Sequence, residues 1–559
     1  MFYVRRTLAY TPAPAVVPMV VGSVVALALV GLLWLALCRQ LVESEPRQVA
    51  ASDSSRASFG FLHPSCAGGG GGERVLWCAV RALCSETRRL ASDRPQNGST
   101  PHSTIVAPRV WLYTARYRSS VAEIRAFLDV RLAEQFGAEA FTNAVQQVRL
   151  VPLYTAVLLE PRWYPYFTML FQLLAGMPVA VEIMLRHASF LVTHLLSKCV
   201  SWFRKRYRTP LEDYRLPSIF IDTVGVPLAL LCLKWWTCGR IRTGAYVHYP
   251  FVSNEMMSHE PRSTGSGSRK LRSVCRRGYY RAVVLPLYAA CGAATDLVMA
   301  NSSWTLKRME QLWCGSGASS SRASCTGHHR RNIFLVYPPC GARRTHSSFP
   351  ALERDAVRQR VVSIAQFRPE KRHETQLDCF VELLQRYPRE TSQARLLMIG
   401  GARNHADRMR AERLLQRAVA LTGPASSGGR IEVHVNASRI EIEEVLAGEF
   451  GCFLHTMEEE HFGISIVEAM SHGLLVIAHG SGGAALDILR PVSPDSPLGL
   501  VYRTRHELTE CLADALFRLP VATLQSMQRR AYARAQREFS DEAFSERFLT
   551  AVASLCTKG

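Results

Sequence analysis

The sequence predicts an α/β protein made of two doubly wound, Rossmann-like domains that face a cleft, preceded by an N-terminal transmembrane helix. Three observations carry that prediction. Two series of short apolar runs alternate with segments of helical periodicity, a proline-bearing linker separates the two series, and an uncharged apolar run precedes both. Continuous Val/Ile/Leu strands alternating with helices imply parallel sheets covered on both faces. In such sheets ligands bind outside the carboxyl ends of the strands. A chain of 559 residues is long enough for two or three cores of this kind.

Taken in order, residues 1–40 read as a membrane anchor. The stretch 16–38 carries no charge; that is enough to cross about 30 Å of hydrocarbon and long for the apolar region of a cleaved signal peptide. Arg5 and Arg6 precede it, and Arg39, Arg47 and Arg56 follow, which favours a cytosolic body. A polar linker, 41–57, leads to the first domain, 58–337, with strands expected at 59–63, 110–113, 148–151, 219–222, 245–249, 296–300 and 333–337. Pro338 and Pro339 open a second linker, 338–350. The second domain, 351–540, has strands expected at 361–366, 396–400, 431–435, 452–455, 474–478 and 500–502, and 541–559 is expected as a helix packing back on the first domain. Stretches 95–104, 259–270 and 315–331 read as surface insertions.

Two further apolar regions, 164–196 and 219–233, are interrupted by Glu182, Arg186 and Asp222, which argues against spans. The basic cluster Arg204, Lys205, Arg206 and Arg208 lies between them. Apolar surface beside such a cluster is what an interfacial membrane contact requires; buried helices of the first domain are the plainer alternative.

The formal net charge is +21, and only seven of the 67 basic residues are lysines. This charge is spread along the chain rather than gathered with aromatics on one element, so no nucleic-acid partner is expected. The 16 cysteines include no C-x-x-C pair, and several sit inside apolar runs, a usage that fits a reducing compartment. Cys314, Cys325, His328 and His329 fall in a Ser/Gly/Arg-rich stretch, and there is no D-x-D pair, so no metal site is expected.

Three stretches carry chemistry. Gly68 to Gly72, followed by Glu73, lie between a strand and a helix, where glycine backbone approaches a phosphate or sugar and a helix N-terminus favours an anion. Arg368 and Lys371 stand in the loop after the first strand of the second domain, placed to set two cations on a diphosphate and stabilise the charge of a departing nucleotide. Glu460 and Glu468 flank Phe462, Gly463 and Ile464 in an E-x7-E pattern. With a helix starting near Gly463, one carboxylate lies before the helix and the other on its second turn, both able to accept hydrogen bonds from sugar hydroxyls.

With these residues the chain resembles the retaining GT-B glycosyltransferases that share the E-x7-E signature. More narrowly, it is similar to the α-1,2-mannosyltransferase family of asparagine-linked glycosylation. The matching stretches keep their order: GGGGERVLW, FIDTVG, AYVHYP, ANSSWT, VYPPC, SIAQFRPEK, FLHTM, EHFGI, VEAM and AHGSGG followed by LDI. The resemblance implies transfer of mannose from GDP-mannose to dolichyl-diphosphate-linked Man3GlcNAc2 and Man4GlcNAc2. It places the enzyme at the cytosolic face of the endoplasmic reticulum membrane, with other mannosyltransferases of the pathway as partners and no cofactor. It assigns Arg368 and Lys371 to the donor diphosphate, Glu468 to the ribose, Glu460 and His248 to the mannose, and the backbone of Phe462, Gly463, Ile464, Gly69, Gly70, Gly71 and Gly72 to the sugar and phosphates. Retention is expected to proceed by front-face attack, the leaving phosphate oxygen taking the acceptor's proton. The alternatives are a GT-B transferase using another nucleotide sugar and a non-catalytic membrane scaffold of the same fold. Sequons at Asn97, Asn301 and Asn436 offer a test of topology.

Overall fold

A computed structural model describes residues 58–68, 70–92, 109–115, 120–136, 141–164, 166–199, 216–250, 278–313, 332–341, 358–423 and 429–556. The expected anchor at 16–38, the basic cluster at 204–208, Gly69, Asn97 and the Cys314–His329 stretch lie outside these residues.

The first sheet holds β1 (Ser58–Leu62), β2 (Arg109–Ala115), β3 (Arg149–Leu153), β4 (Ile219–Asp222), β5 (Arg242–Val247), β6 (Leu297–Ala300) and β7 (Asn332–Leu335). Their order is β3-β2-β1-β4-β5-β6-β7, and every pairing is parallel. The second sheet holds β8 (Arg360–Ile364), β9 (Arg395–Gly400), β10 (Ile431–Val435), β11 (Cys452–His455), β12 (Leu475–His479) and β13 (Leu500–Tyr502). Its order is β10-β9-β8-β11-β12-β13, again wholly parallel. The thirteen strands of the described residues fall where apolar runs were expected, with shifts of up to two residues at their ends, and of three at the start of β5.

Successive strand residues point to opposite faces, and both faces are buried. Phe61 joins one core cluster and Leu62 the other; Val361 and Val362 divide in the same way in the second domain. The strand order reverses between β1 and β4, and again between β8 and β11. Connections diverge at these points, so each sheet opens a crevice at its carboxyl edge.

The helices that frame those crevices are α1 (Gly71–Ser92), α2 (Thr168–Leu174), α3 (Gly176–Cys199), α4 (Pro227–Trp236), α5 (Ser303–Trp313), α6 (His373–Arg386), α7 (Arg439–Glu444), α8 (Ile464–Ser471), α9 (Val521–Glu538) and α10 (Asp541–Cys556). Helix α9 packs in the second domain, while α10 crosses to the first: Phe544, Phe548, Ala551, Val552 and Leu555 share a core cluster with Phe61 and Trp77. Asp541, in the first turn of α10, receives Arg74 at 3.1 Å and Arg81 at 2.9 Å. The two chain crossings run together, the Cys340 N–H donating to the Phe539 carbonyl at 3.2 Å.

Helices α2 and α3 are core on one side only. Leu173, Val179, Ala180, Ile183 and Met184 are buried, whereas Phe167, Phe171, Met177 and Leu185 are exposed, alongside Trp163 and Tyr166. The stretch Thr168–Ala188 is long and apolar enough to cross a membrane by length and composition, with 39% of it buried in the protein. The charges that interrupt it are satisfied. Glu182 pairs with Arg186 at 2.9 Å and accepts the N–H groups of Tyr154 and Thr155 at 3.0 and 2.8 Å.

Candidate active site

The second domain supplies the charged half of the cleft. After β8 the chain turns through Arg368 and Lys371 and enters α6 at Arg372, whose φ of +53° lies in the left-handed region. Thr456, just past β11, fixes this turn: its hydroxyl donates to the Lys371 carbonyl at 2.7 Å and accepts from Gln376 at 2.8 Å. The two cations expected to meet a diphosphate are both engaged in ion pairs. Lys371 forms an ion pair with Glu460, and Arg368 pairs with Glu370 at 3.3 Å. Opposite charge sits within reach of each, so donor phosphates would have to compete for them. The Nε of Arg368 is buried and makes no hydrogen bond.

Glu460 is no exposed loop carboxylate either. It is 8% exposed, and His455, the last residue of β11, lies 2.9 Å away through Nε2. Burial would raise its pKa, but the His455 hydrogen bond and the Lys371 charge hold it well below the usual carboxylate range. Two glycines press against its backbone. The Gly483 N–H donates to the Glu460 carbonyl at 2.7 Å, and a Cβ on Gly482, where φ is +63°, would lie 2.4 Å from that oxygen. Gly463, at φ +108°, then starts α8. Glu468 sits on the second turn of α8 and accepts from Arg439 of α7 at 2.7 Å.

The first domain supplies two histidines and the glycine loop. His63, directly after β1, has Nδ1 2.7 Å from the Thr223 hydroxyl, which itself reaches the Leu62 carbonyl at 3.2 Å. The hydroxyl has one proton to give the carbonyl, so His63 Nδ1–H is the donor and Nε2 keeps its lone pair. His248 Nε2 lies 3.1 Å from the Thr223 carbonyl and must donate to it, which leaves Nδ1 to accept. Burial lowers both pKa values, to about 3 for His63, helped by the neighbouring His248, and to about 4 for His248. Both rings face the glycine loop: a Cβ on Gly72 would meet His248 Nε2 at 3.6 Å and His63 Cε1 at 3.9 Å.

That loop differs from the open anion cradle expected of it. The Glu73 carboxylate folds back on it, lying against Gly68 and Gly70, with the backbone N–H groups of Gly70 and of Glu73 itself near enough to favour its charged form. Burial raises the Glu73 pKa, and those two N–H groups oppose the rise. One acidic side chain thus already uses part of the helix's anion-binding capacity.

The halves meet. A Cβ on Gly71 would lie 2.2 Å from Ile464 Cδ1, so the glycine loop abuts the N-terminus of α8. His461 packs against Tyr249 at 4.1 Å and Trp304 at 5.1 Å between ring centres. Asp487 of the second domain accepts the Ser303 N–H at 2.9 Å, at the start of α5, and the Tyr337 hydroxyl at 2.9 Å. Beside His248 a cavity of about 200 Å³ opens, lined by Asp222, Tyr246, Tyr249, Tyr288 and Trp313 among others.

Sequence reasoning did not single out His63, Thr223, His455, Thr456, His461, Arg439 or Asp487. The available signal was position: His63 directly follows β1 and His455 ends β11, the strands that flank the two crevices. Asn301 fails as a topology marker, since it is 6% exposed and donates to the His248 carbonyl at 2.8 Å, whereas Asn436 is exposed.

Residues 56–196 and 209–313 match the family model described as the ALG11 mannosyltransferase N-terminus, and 347–491 match glycosyl transferases group 1. A human protein named GDP-Man:Man(3)GlcNAc(2)-PP-Dol alpha-1,2-mannosyltransferase is 30% identical over 554 residues, covering 96% of this chain and 95% of the relative. A Caenorhabditis elegans protein of the same name is 28% identical over 462 residues, 81% of this chain and 82% of the relative. Among solved structures, the N-terminal domain of Candida albicans trehalose-6-phosphate phosphatase superposes with a TM-score of 0.57 at 11% identity, over 91% of this chain and 98% of the other. Anabaena HepE, in complex with UDP and glucose, superposes at 0.50 with 16% identity, over 89% and 100%. These neighbours share the two-domain fold.

Proposed function

The chain belongs to the GDP-Man:Man(3)GlcNAc(2)-PP-Dol α-1,2-mannosyltransferase family, and from that premise we propose that it transfers α-1,2-linked mannose from GDP-mannose to a dolichyl-diphosphate-linked oligosaccharide. One observation supports this most: Lys371, Glu460 and the N-terminus of α8 converge on one crevice, with the glycine loop facing them across the cleft. A sugar nucleotide needs cations for its diphosphate and acceptors for its hydroxyls, side by side.

In this reading Arg368 and Lys371 take the diphosphate and stabilise the charge that grows as GDP leaves. Glu468 accepts from the ribose and Glu460 from the mannose. The backbone at Phe462, Gly463 and Ile464 approaches the sugar and phosphates, as do Gly70, Gly71 and Gly72 from the first domain. His248, with Nδ1 as acceptor, meets a sugar hydroxyl. Attack comes from the face the nucleotide leaves, and the phosphate oxygen takes the acceptor's proton. The aromatic-lined cavity beside His248 lies on the acceptor side.

The acceptor is lipid-borne, so the first domain must meet a bilayer. Phe167, Phe171, Met177 and Leu185, with Trp163 and Tyr166, form an apolar surface suited to the interface. We assign the body to the cytosolic face of the endoplasmic reticulum membrane. Full-length protein expressed in cells should therefore carry no glycan at the exposed Asn436; a glycan there would reverse the orientation.

The deciding assay incubates detergent-solubilised protein with labelled GDP-mannose and a lipid-linked trimannosyl acceptor. The expected product carries added mannose removable by an α-1,2-mannosidase. Transfer from UDP-glucose instead would establish a different donor. No transfer from either would support the scaffold reading.

A further inference from the structure

Glu460 is where the proposed function, on which this inference rests, puts the transferred sugar, and its surroundings determine how that carboxylate is aimed. Lys371 and His455 both meet the same oxygen, Oε2. A carboxylate gripped at one oxygen by two donors cannot turn freely, and its other oxygen, Oε1, remains the acceptor available to a ligand. The two donors are not equivalent. Lys371 is part-exposed and is also required at the diphosphate, whereas His455 is 2% exposed and fixed at the end of β11.

We infer that His455 is the positioning residue of this site: its Nε2–H holds Glu460 Oε2 when Lys371 turns to the diphosphate, so that Oε1 stays aimed at a hydroxyl of the donor sugar. The role is separate from binding the nucleotide, which Arg368, Lys371 and Glu468 carry. Burial favours the neutral ring, with one N–H to give and Glu460 the group placed to receive it. Thr456, the next residue, holds the Lys371 carbonyl. Neighbouring residues at one strand end therefore steady both partners of the ion pair.

The test compares His455→Leu, which removes the donor while keeping bulk, with His455→Gln, which offers an amide N–H near the Nε2 position. Both are made in the full chain, checked by thermal unfolding, and measured for mannosyl turnover and for affinity toward GDP and GDP-mannose separately. Loss of a hydrogen bond to a charged group predicts a fall of about 10- to 100-fold in turnover for His455→Leu. GDP affinity should stay within about twofold, GDP-mannose affinity should fall, and His455→Gln should recover most of the loss. The inference is overturned if both variants keep wild-type turnover, if GDP affinity falls as far as GDP-mannose affinity, or if His455→Gln is no better than His455→Leu. Should the wild-type chain bind GDP-mannose yet transfer nothing, the reading of function fails, while the difference between the two affinities still decides the role of His455.

Discussion

The two halves of the cleft solve different problems with different chemistry. The second-domain half is charged and already paired: Lys371 with Glu460, Arg368 with Glu370, Arg439 with Glu468. The first-domain half offers glycine backbone, the Glu73 carboxylate folded onto it, and two histidines whose pKa values are pushed down by desolvation to about 3 and 4. In the proposed reading the diphosphate is met by the second domain, whose cations can exchange one ion pair for another. The first domain, in that reading, brings glycine backbone to the sugar and phosphates and His248 to a sugar hydroxyl. The ion pairs also spare the second domain the cost of holding lone charges away from water.

The sharpest way to break this comparison is to remove a second-domain cation. Lys371→Ala or Arg368→Ala should lower kcat/KM by about 10²–10³, the range for loss of a charge-stabilising group. Steady-state kinetics at fixed salt check this, and near-native values would remove the diphosphate from that loop. Somewhat smaller is the expected effect of Gly482→Ala. A Cβ there meets the Glu460 carbonyl at 2.4 Å in a backbone with φ +63°, so Glu460 must shift. We expect about a hundredfold loss of turnover and about 1–3 kcal/mol of stability, read by kinetics and denaturant melts. Glu468→Ala should weaken GDP binding about 10- to 100-fold by loss of a hydrogen bond to a charged group, with a smaller effect on turnover at saturating donor.

Four histidines, two from each domain, make their own prediction. His63, His248, His373 and His461 have burial-lowered pKa values of about 3, 4, 4 and 4. An unfolded chain would bind protons at these positions near pH 6.5, while the folded one resists until about pH 4. Stability should therefore be full above about pH 6.5 and fall as pH drops through the window from 6.5 to 4. Glu460, with its pKa lowered, adds a loss in the same direction below its unfolded value near 4.5. Urea melts from pH 4.5 to 8 check this; stability independent of pH across that range would mean the histidines are not buried neutral.

Much of the fold was legible because parallel strands buried on both faces read as unbroken apolar runs. Val361 and Val362 each enter a core, so neither position tolerates a polar residue. The E-x7-E pattern and the Arg368/Lys371 loop were legible because their chemistry needs charged residues. What stayed hidden was pairing across long separations. Lys371 and Glu460 are 89 residues apart, and Ser303 and Asp487 are 184 apart; no local periodicity reports either. The return of Glu73 onto the glycine loop was hidden differently, since glycines before a helix fit a bound anion as well as the chain's own carboxylate. The 164–196 region was ambiguous because one face packs in the core and the other is exposed, and composition alone averages the two.

The division of labour is tested most directly by titrating GDP into the wild-type chain, Lys371→Ala and His248→Ala under identical salt. The account predicts that Lys371→Ala loses about 10- to 100-fold in GDP affinity, as a charged hydrogen bond is worth. His248→Ala should stay within about twofold, though it lowers mannosyl transfer. GDP affinity that survives Lys371→Ala but collapses in His248→Ala would contradict it, and would place the diphosphate on the first domain.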